Sequence, residues 1–123
     1  MQTFNACSLL IVLFLFSVKH LDAFSVELSV LVEPNNRECF HQYLQKDLTI
    51  EIDFQVITGG DGLDISFWAS SPTNVVVTHL QRQQNGRPVF TTRETGEYRF
   101  CFDNSFSRFS SKQVHFYIGM YNN

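Results

Sequence analysis

Residues 48–56 carry the clearest alternation of apolar and polar positions in the chain. Leucine, isoleucine, phenylalanine and valine occupy every second position, and threonine, acidic residues and glutamine lie between them. Because successive side chains of a strand point to opposite faces, this period of two predicts an antiparallel strand with one buried face. Residues 63–69 repeat the pattern, and Tyr98, Phe100 and Phe102 give it an aromatic face.

Five further segments predict strands from their apolar, β-branched and aromatic content: 25–32, 38–44, 75–80, 89–92 and 114–118. Turn-forming residues separate the segments at 59–62 and 71–74. Asn85-Gly86 gives the strongest hairpin signal, because both residue types tolerate positive φ. No part of the sequence shows a helical period with capping residues. The pattern predicts an all-β fold, an antiparallel β-sandwich of about seven to eight strands.

An apolar run at residues 9–18 precedes Leu21-Asp22-Ala23. The run has the length of the hydrophobic part of a secretory signal peptide and is too short to cross a bilayer comfortably. We therefore predict a signal peptide at residues 1–23 and a mature domain at residues 24–123. Because no lysine or arginine precedes the apolar run, an uncleaved membrane anchor and a cytosolic chain stay open as alternatives.

Cys39 and Cys101 are the cysteines outside the predicted signal peptide. In an oxidising compartment the simplest expectation is one disulfide between them, which the chain-entropy model values at roughly 4 kcal/mol. A zinc site would need suitably spaced histidines, and redox catalysis would need a Cys-x-x-Cys motif; both have weaker support. Because Cys101 lies between Phe100 and Phe102, alternation places it away from the aromatic face. We expect the disulfide on the outside of a sheet or over an edge, rather than between sheets.

The mature region has the length of one compact domain. Its acidic and basic residues are interspersed, and the whole chain has a formal net charge of −3. A surface for nucleic acid or for an anionic membrane needs a basic excess, so the composition argues against both partners.

The sequence offers little support for catalysis, and we predict no enzyme activity, cofactor or metal site. The residue types that such chemistry uses do occur in the predicted strands and turns: His41, His79, His115, Glu51, Asp53, Asp61 and Asp64. The histidines have no nucleophile nearby in a suitable context, and acids that alternate on a polar strand face are normally solvated. Two acids around a glycine turn are too few ligands for calcium.

Three aromatic residues are candidate partner-binding residues. Trp68 falls on the polar face of its predicted strand, where either a partner or a neighbouring strand would cover it. Phe106 and Phe109 lie in a polar connection, where they either close one end of the sandwich or point outward.

Several motifs, in order along the chain, resemble the TMED family, GOLD-domain transmembrane proteins of the early secretory pathway. The segment 96–107 resembles the hallmark of this family, and Arg37-Glu38-Cys39-Phe40 resembles its first-cysteine motif. The segment 59–65 resembles a Gly-Gly-x-Leu-Asp-Ile turn and strand, here with Asp61 and Gly62 added. Ser-Pro at 71–72 and Lys-Gln-Val at 112–114 follow in order. The sequence of residues 102–107 is most similar to the gamma branch of the TMED family.

The resemblance implies a luminal GOLD or jelly-roll-like sandwich with a Cys39–Cys101 disulfide. It also implies cargo selection in vesicle transport between endoplasmic reticulum and Golgi, association with other TMED proteins and luminal cargo, and no catalysis. The alternative is a secreted jelly-roll lectin or ligand domain unrelated to traffic, with Trp68 as a sugar platform beside Asp64 and Ser66.

Family members continue through a coiled coil, a membrane helix and a cytosolic tail with coat-binding signals. These segments do not occur in the sequence up to Asn123. Membrane anchoring and coat binding therefore cannot be assigned to any residue of this sequence. Two alternatives stay open: the sequence is a fragment of a longer protein, or it is a truncated product that is luminal or secreted.

Overall fold

The structure is a computed structural model that describes residues 24–60 and 62–122. The predicted signal peptide at 1–23 lies outside the described residues. The described part contains nine strands and no helix. The strands are β1 (Phe24–Val32), β2 (Arg37–Leu44), β3 (Leu48–Thr58), β4 (Ile65–Ser70), β5 (Val76–Gln83), β6 (Asn85–Gly86), β7 (Val89–Thr91), β8 (Gly96–Asp103) and β9 (Lys112–Asn122).

The strands form two antiparallel sheets that pack face to face. The first sheet has the order β1-β9-β3, and both β6 and β7 pair with β3. The second sheet has the order β2-β8-β4-β5. This arrangement confirms the predicted antiparallel sandwich.

The inner faces of both sheets supply one core, as the alternation predicts. In β3 the buried side chains are Ile50, Ile52, Phe54 and Val56, and the residues between them are more exposed. Aromatic rings join the two sheets at the centre of this core. The ring of Phe102 lies 5.5 Å from that of Phe54 and 5.1 Å from those of Phe67 and Phe116. Burial of these apolar side chains is the main favourable contribution to folding.

The predicted hairpin at Asn85-Gly86 is wrong. These residues form β6 and pair with Gln55 and Phe54 of β3, so the chain passes from one sheet to the other between β5 and β6. Glycine at position 86 meets a packing requirement instead of a turn requirement. A Cβ atom there would lie 2.5 Å from Leu80 Cδ1 and 2.8 Å from Phe54 Cε1.

The other predicted turns are present. The Gly62 N–H donates to the Gly59 carbonyl at 3.0 Å, and Gly60 has a φ of 57°. The Asn74 N–H donates to the Ser71 carbonyl at 2.9 Å, which closes the turn before β5.

One side of the sandwich is left open. β1 and β2 end their respective sheets, and the connection at residues 33–36 brings them together at one end only. Among the described residues no further strand pairs with the outer edge of either strand. The opposite side is crossed by the chain where β5 leads into β6 and β7.

Candidate interaction surfaces

Cys39 and Cys101 lie directly opposite each other on β2 and β8 and form a disulfide, with 4.1 Å between their Cα atoms. The predicted pairing is therefore confirmed. Both cysteines belong to the second sheet, and they point away from the inner face that carries Phe100 and Phe102. The disulfide thus joins two strands on the outer face, as the alternation around Cys101 indicated.

Trp68 lies next to this disulfide on the outer face. On β4 it is the cross-strand neighbour of Cys101 on β8 and of His79 on β5, and same-face neighbours at this spacing touch. The guanidinium carbon of Arg37 lies 5.2 Å from the centroid of the indole ring, in cation–π range. Neighbouring strands therefore cover part of Trp68, which is half-buried. Its role in partner binding stays a prediction.

The polar groups proposed for a sugar site beside Trp68 have partners within the chain. The hydroxyl of Ser66 accepts a hydrogen bond from the Arg82 backbone N–H at 3.1 Å. The carboxylate of Asp64 accepts from Arg82 Nε at 2.8 Å. A sugar hydroxyl would have to displace these contacts, which gives the lectin alternative less support than a protein-binding role.

Phe106 and Phe109 both lie at the loop end, which we define as the end of the sandwich formed by residues 59–60, 62–64 and 103–112. Both line a cavity of about 310 Å³ with Arg82 and Lys112. The ring of Phe106 is half-buried, 4.2 Å from the Arg82 guanidinium carbon. Phe109 is 89% exposed. Of the two positions predicted as alternatives, Phe106 takes the first, because it packs on the end of the sandwich. Phe109 takes the second, because it points outward.

Lys112 is the main buried charge of the loop end. Its side chain is 1% exposed, and its ammonium group donates to the Gly62 carbonyl and lies 3.4 Å from Asp64 Oδ1. Partial burial raises the pKa of Asp64, but hydrogen bonds from Arg82 and Lys112, with their positive charges, outweigh it and lower that pKa. Asp64 therefore stays ionised at neutral pH, and the buried ammonium group keeps its counter-charge.

Asn104 is another buried polar residue of the loop end. Its side-chain amide nitrogen lies within hydrogen-bonding distance of three carbonyl oxygens, at 3.2 Å for Val32 and Glu33 and 2.8 Å for Ser110. These contacts connect the loop after β8 to the end of β1. No role for Asn104 or Lys112 was predicted from the sequence. Alternation offered a signal for Lys112, because positions 112, 114, 116 and 118 share the inner face of β9.

An apolar cleft between β1 and β2, which we call the open side, was not predicted from the sequence. Its cavity has a volume of about 380 Å³. Phe40 and Phe116 form part of its lining, with ring centroids 5.0 Å apart. Leu28 pairs with Phe116 on the inner face of β1, yet it is 49% exposed. An inward-facing leucine with this exposure means that the second sheet does not cover β1 completely.

Several acidic and histidine side chains outside these surfaces form pairs with other side chains. In the described part of the chain, no cluster of three or more histidine, cysteine, aspartate or glutamate residues has metal-binding geometry. Arg87 binds Asp53 at 3.0 Å and lies 3.7 Å from Glu51, so the two predicted solvated acids share an ion pair. His115 Nε2 lies 2.7 Å from the carboxylate of Glu27.

These features define a small β-sandwich domain with a cross-strand disulfide and surfaces suited to binding. The family model described as "emp24/gp25L/p24 family/GOLD" matches residues 27–123, and the chain belongs to this family. The motif resemblance to TMED proteins is thereby confirmed.

Curated relatives carry the same name. Transmembrane emp24 domain-containing protein 1 of Mus musculus is 39% identical over 90 residues, which cover 73% of this chain and 39% of the relative. Transmembrane emp24 domain-containing protein B of Dictyostelium discoideum is 36% identical over 118 residues, covering 94% of this chain and 53% of the relative. The chain thus spans between about two fifths and half of these relatives' length.

A solved structure supports the fold alone. The periplasmic inhibitor of g-type lysozyme from Aeromonas hydrophila, PliG, matches with a TM-score of 0.52 at 8% identity, over 83% of this chain and 89% of that chain. Over residues 24–60 and 62–122 there is no helix with the length and apolar character to cross a membrane.

Proposed function

We propose that this domain is a luminal binding module of a cargo receptor in vesicle transport between endoplasmic reticulum and Golgi. The observation that carries the proposal is the family match over residues 27–123. The Cys39–Cys101 disulfide supports the location, because disulfides persist in the oxidising lumen of the secretory pathway. The predicted removal of residues 1–23 is part of the proposal, since it would deliver the domain to this compartment.

The proposed partners are other members of the family and luminal cargo proteins. Trp68, Phe106 and Phe109 remain the candidate partner-binding residues, and the exposure of Phe109 makes it the most accessible of the three. The proposed role is binding and not catalysis, and it requires no cofactor, metal or nucleic acid. The proposed role assigns no contact with the membrane to the described residues.

Co-precipitation from a secretory expression system tests the proposed function. The 123-residue chain, tagged at its C-terminus, is expressed together with a full-length relative such as transmembrane emp24 domain-containing protein 1. We expect the two proteins to co-precipitate under non-denaturing conditions, whereas a secreted β-sandwich of another family does not. Absence of association with any full-length family member would contradict the proposal.

The predicted processing has its own measurement. N-terminal sequencing of the protein recovered from the secretory pathway is expected to begin at Phe24. An intact N-terminus on protein confined to the cytosol would contradict the luminal location.

A further inference from the structure

We propose that the open side binds an extended peptide segment of a partner protein, which adds as a strand to the free edge of β2. The segment carries apolar side chains at alternate positions and a basic side chain opposite Glu38. This inference rests on the proposed protein-binding function and deepens it by naming the surface and the chemistry of the partner.

The backbone of β2 has free hydrogen-bonding groups on its outer edge. A Cα–Cα distance of 4.1 Å between Cys39 and Cys101 identifies a non-hydrogen-bonded antiparallel pair. In such a pair the N–H and C=O groups point away from the partner strand. Because this orientation recurs at every second residue, Cys39, His41 and Tyr43 direct their backbone groups to the free edge. Such an edge is a template for a further strand.

Side chains of the described residues leave this edge largely uncovered. The Gln42 amide donates to the Tyr43 carbonyl at 3.2 Å, a contact that an incoming strand can replace. Among the backbone hydrogen bonds of the described turns and loops, none uses a group of residues 38–43. The eight residues of β2 extend over about 26 Å at the usual strand rise.

The cleft beside this edge accepts apolar side chains. Side chains of paired strands that lie opposite each other share a face, so a residue of the added strand opposite Phe40 would point inward. There it would meet Leu28 and Phe116, which line the cavity of about 380 Å³. A cavity of this volume accommodates a few side chains, and the alternate inward positions of a single strand supply them.

Glu38 gives the cleft its charge preference. It shares the inward face of β2 with Phe40, lines the cleft and is exposed. Of the lining residues, all of which lie in the described part of the chain, it is the only carboxylate. No salt bridge joins it to another described residue. A lysine or arginine of the bound segment would provide its counter-charge.

The test selects peptides directly. A phage library of random nonapeptides is panned against the secreted 123-residue chain, and enriched peptides are synthesised with a fluorophore for anisotropy titrations. We expect enrichment of alternating apolar positions with one lysine or arginine. Proline substitution at positions whose N–H would pair with β2 is expected to abolish binding.

Matched variants locate the binding site. Leu28→Asp is expected to weaken binding about tenfold, because it replaces the exposed apolar surface that would contact the peptide by a carboxylate. Leu31→Asp is the control, since Leu31 lies on the same strand with 53% exposure but on the opposite face. Glu38→Lys is expected to reverse the preference from basic to acidic peptides. Hydrogen exchange at the amides of Cys39 and His41 should slow when an enriched peptide binds.

The outcomes separate this inference from the proposed function. Equal binding of the enriched peptides to the Leu28→Asp and Leu31→Asp variants, or a library without enrichment, would overturn the inference. Association of two copies of the chain through the cleft, without peptide binding, would also overturn it. In each case co-precipitation with a full-length relative would still support the proposed function, which falls only if that association is absent.

Discussion

The loop end and the open side use polar and apolar side chains in opposite ways. At the loop end a lysine is 1% exposed, and its ammonium group is held by a carbonyl and a carboxylate. At the open side a leucine on the inner face of its strand is 49% exposed. A buried charge with partners is costly to disturb, and an exposed apolar side chain is available for contact. Stability and binding are therefore expected to depend on different regions of this sandwich.

The disulfide gives the largest expected effect on stability, and it lies on the strand that borders the open side. Replacing Cys39 and Cys101 together by serine removes a cross-link between residues 62 positions apart. The chain-entropy model predicts a loss of about 4 kcal/mol in the free energy of unfolding, measured by urea denaturation. A double variant as stable as the wild type would show that the cross-link does not constrain the unfolded chain.

Lys112→Met gives the next largest effect and tests the loop end alone. The substitution keeps much of the side-chain volume but leaves the Gly62 carbonyl without its ammonium donor and Asp64 with one cation fewer. We expect a loss of about 3 kcal/mol in the free energy of unfolding. Lys46→Met is the matched control, because Lys46 is exposed, and its effect should stay within about 0.5 kcal/mol. Equal effects of the two substitutions would refute the role assigned to Lys112.

A smaller effect on the free energy of unfolding is expected from the ionisation of Asp64. Because folding lowers the pKa of this carboxyl from 3.8, its stabilising contribution is complete above that value and is lost as the pH falls below it. Asp64→Asn should therefore be less stable than the wild type at pH 7, by about 1 kcal/mol. The effect is smaller than that of Lys112→Met, because the amide oxygen of asparagine can still accept from Arg82 and Lys112 and the Gly62 carbonyl still binds the buried ammonium group. The difference should shrink below pH 3.8 in urea titrations at several pH values. A difference that does not change with pH would exclude this ionisation as its cause.

The sheets could be predicted because alternation is a local property of the chain. The buried face of β3 follows directly from the period of two, and the outward position of Cys101 follows from its place between two inward phenylalanines. The hairpin prediction at Asn85-Gly86 was wrong because the same dipeptide is suited both to a tight turn and to close packing in a strand. Its glycine suits a tight turn, but here it is needed for close approach to Leu80 and Phe54.

The surfaces were less predictable because they depend on which strands become neighbours. Nothing in the pattern of β1 or β2 indicates that each strand ends its sheet, so the open side has no signature in the sequence. The opposite behaviour of Phe106 and Phe109 depends on Arg82, which comes from another strand. The burial of Lys112 could have been predicted, since the alternation of β9 places position 112 on the inner face.

Urea unfolding with and without an enriched peptide tests the separation of stability and binding most directly. A ligand that binds only the folded state raises its stability, by about 2.7 kcal/mol when its concentration is a hundredfold above the dissociation constant. We predict that wild type, Leu28→Asp and Leu31→Asp unfold at similar urea concentrations without peptide, and that the peptide raises the midpoint of Leu28→Asp much less than the other two. A similar increase for all three proteins, or a Leu28→Asp variant destabilised as strongly as Lys112→Met, would contradict the account.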